Sequence, residues 1–384
     1  MLQHDQFGDI KLMYSLFRRC PKALEALKAE LKAYIVAEGQ KLIRNEGIQN
    51  DELVKKLIQF KERMSELLAK SLERDQNVDL TIKNSFESFI NENEKTAKSL
   101  VLYLDDQFKR EFKNNTEVEI SEKIDKIIQI FKFLKNKDMF ESFYKASLAK
   151  RLLDSRRILE DAERDVIKKL KEECGFQFTQ RLEVMFKDIK MSEQRMQEFK
   201  KSPSHSMIAI DFNVKVLTTG NWPNENKQVA VREEDNNAGA HLEIQRLPTE
   251  VKQCMSVFKQ YYLSKFSGRQ LNWKMNQGYA ELKARIGNNG TRRYEMSVST
   301  LQMCILTMFN DSKNVTYNDM LSNMQITDHD LKSHLIPLCK FKILDKSPKE
   351  QEFKVDDTFA VNFSYHNNSI KIKLPVISSK QQKS

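Results

Sequence analysis

The sequence predicts a mainly α protein with a smaller α+β part: a helical bundle, then a small antiparallel α/β sheet, then a winged helix. Three observations carry that expectation. Of 384 residues, 31% are charged while only 10 are Gly and 7 are Pro, so the elements are long and the turns few. Apolar residues recur at helical spacing from Asp9 to Lys200 with no strand-like interruption. Met207–Trp222, MIAIDFNVKVLTTGNW, then changes the period: Ile208, Ile210, Phe212, Val214 and Val216 alternate with Ala209, Asp211, Asn213 and Lys215, as along a strand with one face on a core.

The helical half reads in order. Ile10, Met13, Tyr14 and Phe17 mark a first helix, broken at Cys20-Pro21 because proline disfavours a helical residue before it. Leu24, Leu27, Leu31, Ile35 and Leu42 stripe a second, which ends near Gly47. Asp51 is the expected cap of a third helix, carrying Leu53, Leu57, Phe60, Met64, Leu67 and Leu68. Two more follow, around Phe86–Ile90 and Leu100–Phe108, and the isoleucine-rich stripe of Val118–Leu134 predicts an inner helix. Asp138 is the expected cap of the next, with Phe140, Phe143, Tyr144, Leu148 and Leu152. A helix from Ala162 to Cys174 has Gly175 at its C-cap, and a last one spans Thr179–Lys200 before the Ser202-Pro203-Ser204 linker.

After the alternating stretch, Trp222 is placed to cap the end of a sheet, and polar Asn224–Gly239 predicts a mobile loop. Pro248 opens a helix with Val251, Met255, Phe258 and Tyr262 inward. Leu271 and Trp273, Ala280–Ile286, and Tyr294–Val298 predict further strands, with Gly287–Gly290 as the turn between the last two. Ser299 or Thr300 caps another helix; Tyr317–Met324 and Asp328–Lys340 then make a helix-turn-helix pair, with wing strands expected at Phe341–Asp345 and Phe353–Val355. Phe359–Phe363 and Ile370–Val376 are the last expected strands, before a polar tail.

Composition narrows the function. Five scattered cysteines form no CxxC pair and suit a reducing compartment, so the expectation is a soluble intracellular protein of cytoplasm, nucleus or both. No run is apolar for long enough to span a bilayer. A net charge of +10 fits acidic partners, although excess lysine also simply solvates helix faces. The six histidines lie apart, with His329 and His334 at a spacing that does not aim both rings at one ion, so neither metal nor cofactor is expected. No phosphate loop, nucleophile elbow or HExxH motif occurs, and catalysis has no visible seat. Asp328 and Asp330 stand where a recognition helix would meet phosphate, which argues for protein packing over nucleic-acid reading.

Four separated stretches resemble the cullin family in that family's order. They are KDMFESFYKASLAKRLLDSRRILEDAERDVIKKLKEECGFQFTQRLEVMFKDI (Lys137–Ile189), VLTTGNWP (Val216–Pro223), FSGRQLNW (Phe266–Trp273) and STLQMCIL (Ser299–Leu306). The resemblance covers nearly the whole chain and lapses over Asn224–Leu247. It implies a non-catalytic scaffold of a cullin-RING ubiquitin ligase, in ubiquitin-dependent protein degradation. A RING-box protein would dock by adding a strand to the sheet, along Ile208, Ile210, Phe212, Val214, Val216 and Trp222 with Leu271 and Trp273. Aspartate at Val214 and Val216 is then expected to abolish that complex while sparing the bundle.

The resemblance also implies a transient ubiquitin-conjugating enzyme, whose acidic tail would meet Lys109, Arg110 and Lys113 in QFKREFKNN. The implied organisation is 1–94 as the last helices of a cullin-repeat-like arm and 95–202 as the helical bundle. Residues 203–298 form the RING-docking α/β sheet, 299–377 the winged helix with terminal strands, and 378–384 a disordered tail. The family's substrate-adaptor site and its modifier-accepting motif, resembling IVRIMK, find no counterpart in the sequence. Two alternatives stay open: a truncated competitor that sequesters the RING protein, and a basic winged-helix nucleic-acid binder.

Overall fold

A computed structural model describes residues 7–45, 47–154, 159–223, 247–287, 290–324, 326–350 and 352–376. The expected loop within 224–246 and the tail after 377 lie outside the described residues. The chain divides into two compact units, one of Met1–Arg195 with Val214–Asn226, the other of Met196–Asn213 with Lys227–Ser384.

The first unit is helical: α1 (Phe7–Phe17), α2 (Pro21–Arg44), α3 (Asn50–Lys70), α4 (Gln76–Ile90), α5 (Lys95–Asp106), α6 (Glu117–Phe131), α7 (Lys137–Leu153), α8 (Glu160–Cys174) and the greater part of α9 (Phe176–Lys200). Each predicted helix is present, but two caps differ. α3 begins at Asn50 and its N-cap Gln49 makes no side-chain bond; Asp51 instead sits in the first turn and pairs with Lys55 at 2.8 Å. α7 is capped by Asn136, which accepts from the Met139 N–H, two residues earlier than Asp138. Either position places an acceptor near the same unsatisfied N–H groups, so sequence alone does not separate them.

Phe60, Phe86, Phe89 and Phe133 form one aromatic cluster of the core, with Phe86 and Phe133 stacked at 5.1 Å. Gly39 of α2 lies against the Phe89 ring, where a Cβ would collide; hydrogen is the side chain that this close approach of α2 and α4 admits. The isoleucines of α6 are buried as predicted, and Gly175 turns the chain from α8 into α9 at φ +85°. Inside this unit Arg151 of α7 holds Glu163 of α8 through two nitrogens and Asp105 of α5 at 2.6 Å, while Tyr144 donates to Glu163 at 2.8 Å. A buried cation is tolerable here because two carboxylates neutralise it and the Phe108 ring covers it at 4.6 Å.

The second unit carries α10 (Thr249–Lys265), β1 (Tyr279–Arg285), β2 (Arg293–Ser299), α11 (Thr300–Met308), β3 (Asn314–Thr316), α12 (Tyr317–Met324), α13 (Asp328–Lys340), β4 (Leu344–Ser347), β5 (Thr358–Val361) and β6 (Lys371–Lys373). β1 and β2 pair antiparallel from Tyr279↔Ser299 to Arg285↔Arg293. The third member of that sheet is β6, which runs parallel to β2. Ser299 caps α11 in a reciprocal capping box with Gln302. Helices α11, α12 and α13 with the sheet β3-β5-β4 form the expected winged helix. Its wing differs in one strand: β5 supplies the partner of β4, while Phe353 leaves the sheet and stacks its ring on Phe359 at 6.0 Å.

Candidate partner-docking site

The alternating stretch is not a regular strand. Its backbone bends at Ile210, and among the described residues it belongs to neither sheet. Burial nevertheless alternates from Asp211 to Val216, as the sequence period requires. Apolar alternation selects the face a segment presents, whereas a ladder needs a second backbone, and among the described residues none pairs with Ala209–Asn213. Leu271 and Trp273 are likewise irregular rather than a strand.

In the second unit the two irregular segments share one aromatic floor. Phe212 lies 6.3 Å from Trp273, and each lies near Phe258 of α10, at 6.4 and 6.2 Å. Phe258 continues into a cluster with Phe199, Tyr261 and Tyr262. α10 also holds the entry of the segment: Gln253 donates to the Met207 carbonyl at 3.2 Å, and the Ile210 backbone contacts the Cys254 thiol, whose pKa burial pushes up. Ile208 and Phe212 are half-buried and Ile210 is 39% exposed. Leu271 and Trp273 are half-buried, and among the described residues Leu271–Trp273 make no backbone–backbone hydrogen bond.

In the first unit Val214, Val216 and Trp222 are fastened to α9. The Ser192 hydroxyl donates to the Val214 carbonyl at 3.3 Å and accepts the Val216 N–H at 2.7 Å. It thereby occupies the two backbone groups that a neighbouring strand would use on that edge. Asp188 accepts the Thr218 N–H and hydroxyl at 2.7 Å each and the Trp222 indole N–H at 2.8 Å. Trp222 is therefore tied by its nitrogen to a helix and does not cap a sheet. Lys215 donates to the Leu152 and Leu153 carbonyls at the C-terminal end of α7, where a cation suits the helix dipole; burial lowers its pKa. Val214 and Val216 are each 9% exposed, so aspartate at either is expected to disturb this unit's own packing rather than to spare the bundle.

Sequence reasoning missed Asp188 and Ser192. Both lie on α9 four residues apart, a polar pair on a helix otherwise striped with Leu182, Met185, Phe186 and Ile189, and that spacing was the available signal. At the other predicted site, Lys109 pairs with Asp105 and Arg110 with Asp106 at 2.9 Å, each one turn back. Lys113 is exposed and has no ion pair among the described residues. On α13, Asp328 pairs with Lys332 at 2.8 Å and accepts from the Tyr317 hydroxyl at 2.7 Å, which keeps the N-terminal end of that helix acidic.

Comparison with known proteins sets this geometry in a family. Residues 1–196 match the cullin alpha solenoid domain and residues 216–365 the cullin alpha+beta domain. The chain belongs to the cullin family. It is 32% identical to cullin-3A of Arabidopsis thaliana over 387 residues, covering 100% of this chain and 50% of that protein. Cullin-3 of Dictyostelium discoideum is 37% identical, over 90% of this chain and 43% of its own, and cullin-4A of Mus musculus 33% identical, over 99% and 48%. This cullin chain thus spans about half the length of the curated relatives it matches. The solenoid match falls on α1–α8 and most of α9, and the alpha+beta match runs from before α10 through β5, ending ahead of β6. Among the described residues no helix is long and apolar enough to cross a membrane, and no group of His, Cys, Asp and Glu is arranged to hold a metal ion.

Proposed function

We propose that this cullin chain is a non-catalytic scaffold of a ubiquitin ligase, and that a RING-box protein docks by laying an extended segment along Ile208–Asn213 in the second unit, with Leu271–Trp273 beside it. The observation that carries this reading is the pair of irregular segments sharing the Phe212–Phe258–Trp273 floor without a backbone ladder among the described residues. An incoming strand supplies hydrogen bonds to such backbone, and the half-buried Ile208, Phe212 and Trp273 fix its register. A conjugating enzyme is the transient partner of the assembled ligase. Lys113 is then the cation of QFKREFKNN left to attract an acidic tail, because Lys109 and Arg110 already have carboxylates.

The test is co-expression with a RING-box protein followed by size exclusion. A folded chain that never co-elutes with it ends the proposal. Ile210→Asp separates contact from stability because Ile210 is exposed: co-elution should be lost while the melting temperature stays within a degree or two of the parent chain. Val214→Asp should lower the melting temperature with or without the partner.

A further inference from the structure

We infer that the groove between α8 and α9 is a second docking site, for an acidic peptide segment of a partner protein. The groove measures about 520 Å³ and is lined by Arg164, Ile167, Lys168 and Lys171 on α8 and by Glu183, Phe186, Lys187 and Lys190 on α9. On each helix those positions are i, i+3, i+4 and i+7, a single face, so both helices turn a basic face onto one channel. Five cations stand against one carboxylate. Glu183 is engaged by Lys171 at 3.0 Å, and Arg164 by Glu160 outside the channel at 2.5 Å. Lys168, Lys187 and Lys190 are exposed and have no ion pair among the described residues.

Such an arrangement is unfavourable for a helix pair left to itself, since like charges across a groove repel, and an anionic chain between the walls removes that repulsion. Shape selects the peptide over other anions. The channel is concave and walled on both sides, which a flat bilayer does not enter. Single-stranded nucleic acid needs an exposed aromatic platform, but Phe186 is 8% exposed and lies beneath the Arg164 guanidinium at 5.5 Å. Ile167, 5% exposed, completes a floor suited to a narrow backbone with carboxylates directed to either wall. The site shares no residue with the proposed RING-docking segments or with Lys109, Arg110 and Lys113, so its failure leaves those readings standing.

The probe is a fluorescein-labelled peptide of alternating glutamate and alanine, titrated by anisotropy into the full chain at rising salt. Binding should weaken with salt, and the triple variant Lys168→Glu, Lys187→Glu, Lys190→Glu should bind at least about tenfold more weakly, three surface ion pairs together being of that size. The milder triple change to Gln serves if charge reversal disturbs folding, which circular dichroism reads. Changing Lys11, Lys22 and Lys32, exposed cations of α1 and α2, to Gln should leave peptide affinity within about twofold, well inside one tenfold step of affinity. The inference is overturned by absence of binding at low salt, by equal affinity for parent and groove variants, or by stronger binding to oligo(dT) or phosphatidylserine vesicles than to the peptide.

Discussion

Asp188 offers the sharpest test of how α9 fastens the segment Val214–Trp222. Its Oδ2 accepts from both the Thr218 N–H and the Trp222 indole N–H, and its Oδ1 from the Thr218 hydroxyl. Asparagine can reproduce all three bonds: its carbonyl replaces Oδ2, and its NH2 donates to the Thr218 oxygen, which reverses its role. Only the charge assistance is lost, about 1 kcal/mol. Alanine removes every acceptor. Bonds to a charged group are each worth about 1.5–3 kcal/mol, but Thr218 is exposed and its donors recover water, so the expected loss is about 3 kcal/mol rather than the full sum. The two units need not unfold together, so the assay is local: amide hydrogen exchange at Val216 and Thr218. A loss of about 3 kcal/mol in local stability is roughly a hundredfold drop in protection for Asp188→Ala, against about fivefold for Asp188→Asn. Equal effects of the two substitutions, or protection at Thr218 unchanged in the alanine variant, would refute the assignment of Asp188 as the fastening acceptor.

Two further predictions concern stability. Burial pushes the His334 imidazole down from 6.5 to about 4, against a smaller opposing pull from Asp330; its ring nitrogen meets the Ser299 hydroxyl at 2.8 Å. The folded state therefore resists a proton that the unfolded chain accepts, so this contribution is complete above pH 6.5 and is lost as pH falls towards 4. About 2 kcal/mol should disappear between pH 6.5 and 5, and His334→Leu should flatten that part of the urea-midpoint profile; an unchanged slope counts against it. Arg151→Met leaves Glu163 buried without its guanidinium and should destabilise the first unit by about 3–5 kcal/mol; Arg151→Lys, which cannot hold both Glu163 oxygens and Asp105, should recover less than half. Full recovery by lysine in thermal melts would show that charge alone, not the planar fork, is what the network needs.

The helices were legible because each is a local object. A stripe such as Ile120, Ile124, Ile127, Ile128 and Phe131 fixes both the element and its buried face within one stretch of chain. The Ser299 cap, the Gly175 turn and the β1–β2 hairpin are local in the same sense. What escaped depends on distant groups. β3 is three residues long and exists by pairing with β5 more than forty positions later; β6 falls within the expected Ile370–Val376 strand, but its parallel pairing with β2 spans the whole winged helix. Asp188 and Ser192 read as ordinary polar positions until a remote backbone arrives to use them.

The alternating stretch is the instructive case, because the period is real and the strand is absent. Residues that face a core every second position do so in any extended chain, and the period reports burial alone. Pairing is a separate condition. Over Val214–Val216 it is met by a serine hydroxyl, which serves two backbone groups at once and needs no neighbouring strand. Over Ala209–Asn213 the aromatic floor orients side chains, and among the described residues no backbone pairs with the stretch, the Cys254 thiol at Ile210 being a side-chain contact. A segment whose side chains are placed and whose backbone is unladdered has already met much of the ordering cost of a strand, so an added chain gains hydrogen bonds with little further entropy to lose. By that reasoning, mutations that loosen the floor should weaken partner binding through the cost of re-ordering. Phe258→Ala, which removes the ring common to Phe212 and Trp273 and leaves the residues of the two docking segments themselves unchanged, should slow association more than it speeds dissociation.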